Sequence, residues 1–315
     1  MNKKVVVLGG GNGMSSLLRG LKQFPIDLTA IVTVSDDGKS TGILRKEFNS
    51  PALGDIRRVL ISLSETEPLF EKMFNYRFQT DGYLNGHAVG NFLLQAMTDI
   101  TGSVSEGIEA LSGILNLKGK VIPLTENADV TLVATMTDNS VVEGEHFITQ
   151  SKKTIKNVYY KKNPKVTKKT LTSLKEADLI ILSVGSLYTS IIPNLIPNEV
   201  KQALEESSAK IMYVCNIVTQ PGETDDFTVS DHIRTLNEYL GNRKVDVVIV
   251  NDGHIDVDIA EKYQTLEQKD PVLFDKDNVE LLGVEVISGN FIKIENDILR
   301  HDMVKVALNI FTYLL

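Results

Sequence analysis

The sequence predicts a doubly wound α/β fold: a mostly parallel sheet with helices on both faces and one inserted, β-rich segment. Two observations predict the sheet and a third predicts the insertion. Short runs of Val, Ile and Leu recur along the chain, continuous rather than alternating. A strand covered by helices on both faces requires such runs. Each run gives way to glycine or polar residues and then to a helical pattern, the order of a strand–loop–helix unit. Between residues 118 and 169 the texture changes to short strands separated by turn residues.

The elements follow in order. VVVL (5–8) is the first core strand and is followed by a helix over 13–22. LTAIVTV (28–34) is the second, with helices expected over 55–64, 88–99 and 104–115. In the insertion, Lys120–Leu124, Asp129–Met136, Val141–Glu143, His146–Thr149 and Val158–Tyr160 read as strands joined by turns such as Asp138-Asn139-Ser140. That is hairpin punctuation with partial alternation. No Pro/Gly/Ser linker bounds the segment, so a subdomain inserted into one domain of residues 1–315 is expected, not a second autonomous domain. DLIILSV (178–184), KIMYVCN (210–216) and DVVIVN (246–251) resume the core strands. Helices are expected over 198–207, 228–240, 256–266 and 301–313. The apolar Val304–Leu315 reads as a docked helix or an oligomer contact.

Composition excludes several classes of function. With 315 residues, 42% hydrophobic and 23% charged, the chain is globular rather than disordered. Thirty-three Lys and Arg against 41 Asp and Glu give a net charge of −8, which argues against a general nucleic-acid coat. One cysteine rules out an intramolecular disulfide framework and a clustered thiolate metal site. Val5 to Gly9 is too short for a secretory apolar region of about 7–15 residues, and no run reaches the ~18 apolar residues of a membrane span. The cytosol is the expected compartment. Residues 152–169 hold eight lysines and no acid, either a solvated ribbon edge guarded against strand addition or a docking surface for an anionic partner.

In an open parallel sheet, ligands bind outside the carboxyl ends of the strands. All five core strands run there into small, polar or acidic residues, so one crevice is expected to collect five loops, the last being Asn251-Asp252-Gly253-His254. The first, Gly9-Gly10-Gly11-Asn12-Gly13, follows a strand and opens a helix, where backbone N–H groups and the helix dipole hold phosphate. Its dinucleotide fingerprint fails at the third glycine, where Met14 or Ser16 stands, so NAD(P) is the less favoured cofactor. Gly38-Lys39-Ser40 lacks the upstream glycine of a P-loop because Thr33 stands there. Asp36 is placed to read a ribose hydroxyl. Alternatively Asp37 and Asp55 share a Mg²⁺ that also holds a diphosphate, or they merely cap turns and helices. Asn91 is a candidate base or sugar reader; Cys215 reads as a small core residue.

Taken together, GGGNGMSSLLRGLK, TVSDDGKSTGILR, LGDIRR, NGHAVGN, GSLYTSIIPNL and VCNIVTQPGETDDFTVSDHI resemble the YvcK-type gluconeogenesis factor family. That family lies in the wider superfamily of the 2-phospho-L-lactate transferase CofD. The resemblance runs from residue 5 to about residue 302. It implies a Rossmann-like core in a cytoplasmic bacterial protein that binds a nucleotide or nucleotide-sugar, with UDP-N-acetylglucosamine the expected ligand. The implied role is regulatory, through a protein partner, in cell shape and cell-wall synthesis during growth on gluconeogenic carbon sources; the alternative is a Mg²⁺-dependent transferase. By resemblance, Gly10, Gly11, Asn12 and Gly13 match the phosphate loop, and Asp37 and Asp55 match the metal-binding acids. Asn91, Gly185, Ser186, Leu187, Tyr188 and Thr189 match further ligand loops, as do Asn216, Thr219 and Gln220. Arg300 matches a basic residue for the nucleotide-sugar. The family usually has glycine where this chain has Lys39, which adds a candidate phosphate contact.

Overall fold

The computed structural model describes residues 2–295 and 298–315; the side chains of Lys39, Ile259, Leu266 and Glu295 lie outside that description. The chain opens with β1 (Lys4–Gly9), α1 (Gly11–Leu21) and β2 (Asp27–Val32), continues through α2 (Lys39–Phe48), α3 (Gly54–Leu63), α4 (Pro68–Asn75), α5 (Val89–Thr101) and α6 (Val104–Ile114), and returns to the sheet as β3 (Lys120–Pro123). The insertion follows, with β4 (Leu132–Met136), β5 (Val141–Glu143), α7 (Glu145–Gln150) and β6 (Ile155–Tyr160). After α8 (Lys168–Lys175) and β7 (Leu179–Leu182) come a π-helical turn, Leu187–Ile191, and α9 (Asn198–Glu206). The remainder is β8 (Lys210–Val214), α10 (Val229–Tyr239), β9 (Val247–Asn251), α11 (Val257–Glu267), α12 (Lys276–Leu281), β10 (Glu285–Gly289), the hairpin β11 (Ile292–Glu295) and β12 (Ile298–His301), and α13 (Met303–Leu314).

Seven strands form one parallel sheet in the order β10-β9-β8-β7-β1-β2-β3. The chain winds outward from β1 through β2 to β3, then restarts at β7 and winds the other way. The switch in direction therefore lies between β1 and β7, the position at which a doubly wound sheet opens a crevice. The apolar runs form central strands because both faces are covered: Val5, Val7, Leu8, Ile180, Ile181 and Leu182 are fully buried. Helix α1 covers one side with Met14, Leu17, Leu18 and Leu21, all without exposure. The C-terminal α13 is docked beside it, with Phe24 and Phe311 stacked at 5.0 Å.

The insertion departs from expectation in two places. Lys120–Pro123 is not part of an antiparallel unit: it is the parallel edge strand of the main sheet, in register with Thr29–Val32 of β2. Pro123 tolerates that position because an edge strand need not donate on its outer side. His146–Thr149 is not a strand but lies in α7. Gly144, at φ +97°, turns the chain into that helix, and the Asp37 carboxylate accepts the His146 N–H at 2.8 Å. The cap comes from a residue remote in sequence, which outweighs the β preference of Phe147, Ile148 and Thr149. The three strands order as β5-β4-β6, antiparallel. The Arg45 guanidinium clips this unit to the loop after β2, donating to the carbonyls of Asp36, Ala128 and Val130. Leu132, Met136, Ile148, Val158 and Tyr160 join the main hydrophobic core.

Candidate functional site

A crevice of about 740 Å³ opens outside the carboxyl ends of β1, β2, β7 and β8. A second lobe of about 520 Å³ adjoins it, sharing Asn12, Ser16, Arg58, Arg300, His301 and Met303. The fifth loop is missing from this assembly. Asn251 instead accepts the Phe291 N–H and donates to the Gly253 carbonyl, tying the end of β9 to the turn before β11.

The glycine loop is built by close approach. Gly11 sits at φ +68°, and a Cβ at Gly13 would overlap the Val184 carbonyl. Only glycine lets α1 begin directly against the end of β7. The N-cap residue of α1, Gly10, has no side chain to offer its amides. Gly11 N–H donates to Asp55 Oδ2 at 2.8 Å, whereas Asn12 and Gly13 are first-turn residues with no intrahelical acceptor for their N–H groups. Both line the crevice. The helix dipole and these amides form a receptive end for an anion.

Opposite that end stand three acids. Asp55 begins α3 with Oδ1 on the Arg58 guanidinium at 2.6 Å. Burial pushes its pKa up to about 6; Arg58 opposes the rise and Asp36 adds to it. Asp36 accepts from Gly38 N–H at 2.8 Å and from the Thr41 hydroxyl at 3.1 Å. Glu145, the first residue of α7, is raised to about 9 by burial and then by the charges of Asp36 and Asp55. This is an excess of negative charge in a confined space, with one acid kept neutral to relieve it.

The structure places Asp37 elsewhere than beside Asp55. Its carboxylate caps α7 and thereby sets Glu145 at the crevice, while Asp36 takes the position facing Asp55. Among the described residues no three His, Cys, Asp or Glu side chains form a metal-binding group. Mg²⁺ needs only one or two carboxylates when phosphate and water complete its shell, and Asp36 with Asp55 is a hard oxygen donor set of that kind.

The other expected residues divide. Gly10, Gly185, Ser186, Asn216, Thr219, Gln220 and Arg300 line the crevice. Asn216 clamps Gly185 through both its backbone groups, and Thr219 exchanges two hydrogen bonds with Asp270. Leu187, Tyr188 and Thr189 are buried behind the wall in the π-helical turn. Asn91 is buried in the first turn of α5, away from the lining. The side chain of Lys39 lies outside the described residues. Cys215 is buried, its thiol pushed up to about 12 by desolvation, so it is not a nucleophile. His301 donates to the Cys215 carbonyl at 3.0 Å; burial pulls its pKa down to about 4 and keeps it neutral.

Sequence reading missed Glu145, Arg58, Lys152, Ser190 and Lys269, all of which line the crevice. Arg58 carried a usable signal, since a helix beginning at Gly54 places it three residues from Asp55 on one face. Glu145 carried none, because its position depends on the remote Asp37 cap.

Fold and crevice together define a class: a Rossmann-like α/β protein with a glycine-rich helix N-terminus and a carboxylate pair facing one crevice at the switch point. The family described as 2-phospho-L-lactate transferase CofD matches residues 5–292. A gluconeogenesis factor of Halalkalibacterium halodurans is 44% identical over 306 residues, covering 97% of this chain and 94% of that protein. One from Bacillus subtilis is 45% identical, covering 96% of each. A crystal structure of a protein from Bacillus halodurans matches with a TM-score of 0.95 at 43% identity, over 99% of this chain and 100% of that one. The chain belongs to the CofD family, in its gluconeogenesis-factor branch.

Proposed function

We propose that this protein binds a nucleotide-diphosphate sugar of the UDP-N-acetylglucosamine class and acts as a regulator through that binding. The observation that carries the reading is the pairing, in one crevice, of Asn12 and Gly13 in the first turn of α1 with Arg58 and Arg300. Amides and guanidinium groups are the donors that a diphosphate requires. The main crevice falls within the roughly 300–1,000 Å³ of small-molecule sites, and the second lobe extends it for an elongated ligand. The likeness to proteins named gluconeogenesis factors supports a role in gluconeogenic growth; the sequence resemblance adds a cytoplasmic setting, a protein partner and an action on cell shape and wall synthesis. No helix among the described residues is long and apolar enough to cross a membrane, in keeping with that setting.

In this reading the Asn12 and Gly13 amides and Arg300 hold the diphosphate, and Gly185, Asn216 and Gln220 form the opposite wall. Asp36 and Asp55 would hold a Mg²⁺, which supplies charge neutralisation to the phosphates. The same acid pair, with the family's transferase description, favours a second reading: a Mg²⁺-dependent transferase with the diphosphate as leaving group. A thermal-shift and calorimetry series with UDP-N-acetylglucosamine, UDP, GDP and NAD(P), with and without Mg²⁺, separates these. Ligand at 100 times its Kd stabilises by about 2.7 kcal/mol. Binding without turnover supports the regulator, and a Mg²⁺-dependent product supports the transferase. Arg300→Ala is expected to abolish nucleotide-sugar binding with the fold retained; unchanged affinity would remove Arg300 from the site.

A further inference from the structure

The crevice wall formed by the loops after β7 and β8 carries a hydrogen-bond relay that ends on a buried carboxylate. Glu223 is 2% exposed, and three donors converge on it. Tyr188 N–H reaches Oε2 at 3.1 Å; the Thr189 hydroxyl and Gln220 Nε2 reach Oε1 at 3.0 and 2.9 Å. In its ionised form, which prevails above about pH 7, this carboxylate only accepts, so the Gln220 amide turns its nitrogen inward and its oxygen toward Ser186. That oxygen receives the Ser186 hydroxyl proton at 2.7 Å. The Ser186 proton is then committed, and Ser186, which lines the crevice, is left to offer lone pairs.

We infer that Glu223 is a positioning residue that, through Gln220, makes Ser186 an acceptor toward the crevice and so selects ligands presenting an O–H or N–H donor there. The inference rests on the nucleotide-sugar reading and deepens it. An ionised phosphate has no donor to give, so Ser186 rejects it, and the diphosphate is directed to the α1 amides and Arg300. The sugar hydroxyls, the acetamide N–H or a base N–H then face Ser186. The relay thus fixes the ligand's orientation as well as its class.

The isosteric Glu223→Gln exchange reverses the relay. Tyr188 N–H can only donate, so the new amide must place its oxygen there and its nitrogen toward Thr189 and Gln220. Thr189 turns to accept, the Gln220 amide flips, and its nitrogen now faces Ser186. The Ser186 proton swings into the crevice, and an acceptor becomes a donor.

The test is a double-mutant cycle read by calorimetry with UDP-N-acetylglucosamine at about pH 8.5, where Glu223 is ionised, on the full chain, using Ser186→Ala, Glu223→Gln and the pair. In the wild-type background Ser186→Ala is expected to weaken binding about three- to tenfold, the worth of one hydrogen bond. Glu223→Gln weakens it by at least as much, and adding Ser186→Ala to it costs nothing further. An equal cost of Ser186→Ala in both backgrounds, or none in the wild type, overturns the inference while leaving the nucleotide-sugar reading intact. Failure of the wild type to bind UDP-N-acetylglucosamine or UDP overturns both. A crystal structure of the wild type with UDP-N-acetylglucosamine gives a second check that needs no variant: a ligand O–H or N–H group within hydrogen-bond reach of Ser186 Oγ supports the relay, and a phosphate oxygen there refutes it.

Discussion

Two sets of carboxylates in this molecule are displaced in opposite directions. In and behind the crevice, burial raises Asp55 to about 6, Glu223 to about 7 and Glu145 to about 9. On the inserted ribbon, Asp129 and Asp138 stand in solvent and are held below the usual carboxylate range, chiefly by hydrogen bonds from Lys162 and Lys153. Ionisation of a carboxyl group is thus made harder in one place and easier in the other. Ribbon pairs of this kind neutralise charge that water already screens. Burial makes ionisation of the crevice acids costly, and a cation or a donor-bearing ligand can relieve that cost.

The largest expected effect comes from breaking this contrast at Glu223. Its folded pKa, about 7, lies above the unfolded value of 4.5. The folded state therefore binds its proton more tightly, and the stability this contributes is full below pH 4.5 and lost as pH rises to about 7. The loss amounts to about 3 kcal/mol. Glu223→Gln does not titrate. Urea unfolding of both chains between pH 4.5 and 8 should show the wild type losing about 3 kcal/mol relative to the variant, and parallel curves would place Glu223 in a polar, hydrated setting instead.

Next in size is the glycine loop. Gly13→Ala drives a methyl group into the Val184 backbone carbonyl, which cannot yield as a flexible side chain can. A cost of about 1–3 kcal/mol is expected, with weakened nucleotide-sugar binding because α1 can no longer start against the end of β7. Gly113→Ala on the outer turn of α6 meets nothing within 4 Å and should stabilise by about 0.5–1 kcal/mol. Denaturation of the two variants side by side separates a glycine demanded by the crevice from one that is not.

The fold was legible where local pattern and tertiary demand agree. Runs such as VVVL and DLIILSV can be buried on both faces and little else, so β1 and β7 could be read directly. β3 was misassigned to the insertion because Lys120–Pro123 has the length and turn flanks of a hairpin strand, and only its register with β2 shows where it belongs. α7 was misread because its cap, Asp37, lies on the far side of five helices and three strands in the chain. The same distance hid Glu145. Loop chemistry brought Gly10 to Gly13, Ser186, Asn216 and Gln220 to the crevice. It could not separate the residues of GSLYTS that face the crevice from those that turn inward to hold Glu223, because a π-helical turn leaves no periodic signature in five residues.

The smallest expected effects sharpen the comparison within the lysine-rich segment itself. Lys161 and Lys162 pair with Glu143 and Asp129 across the ribbon at 2.7 Å, with all four side chains more than half exposed. Lys152 comes from the same run but lines the crevice, where its ammonium group donates to Gln268 at 3.2 Å. A shared composition therefore covers two settings, a solvated edge and a charge at the crevice. Lys152→Ala is expected to weaken nucleotide-sugar binding about three- to tenfold, the range of one charge-assisted contact at a partly open site. Reversing Lys161 and Lys162 to Glu should leave both affinity and melting temperature unchanged. If the ribbon reversal weakened binding as much as Lys152→Ala, the lysines would be acting together as a long-range field on the anionic ligand. The loss would then shrink as salt is raised from 0.01 to 1 M, over which the Debye length falls from about 30 to 3 Å. An effect confined to Lys152 and persistent in high salt identifies a direct contact.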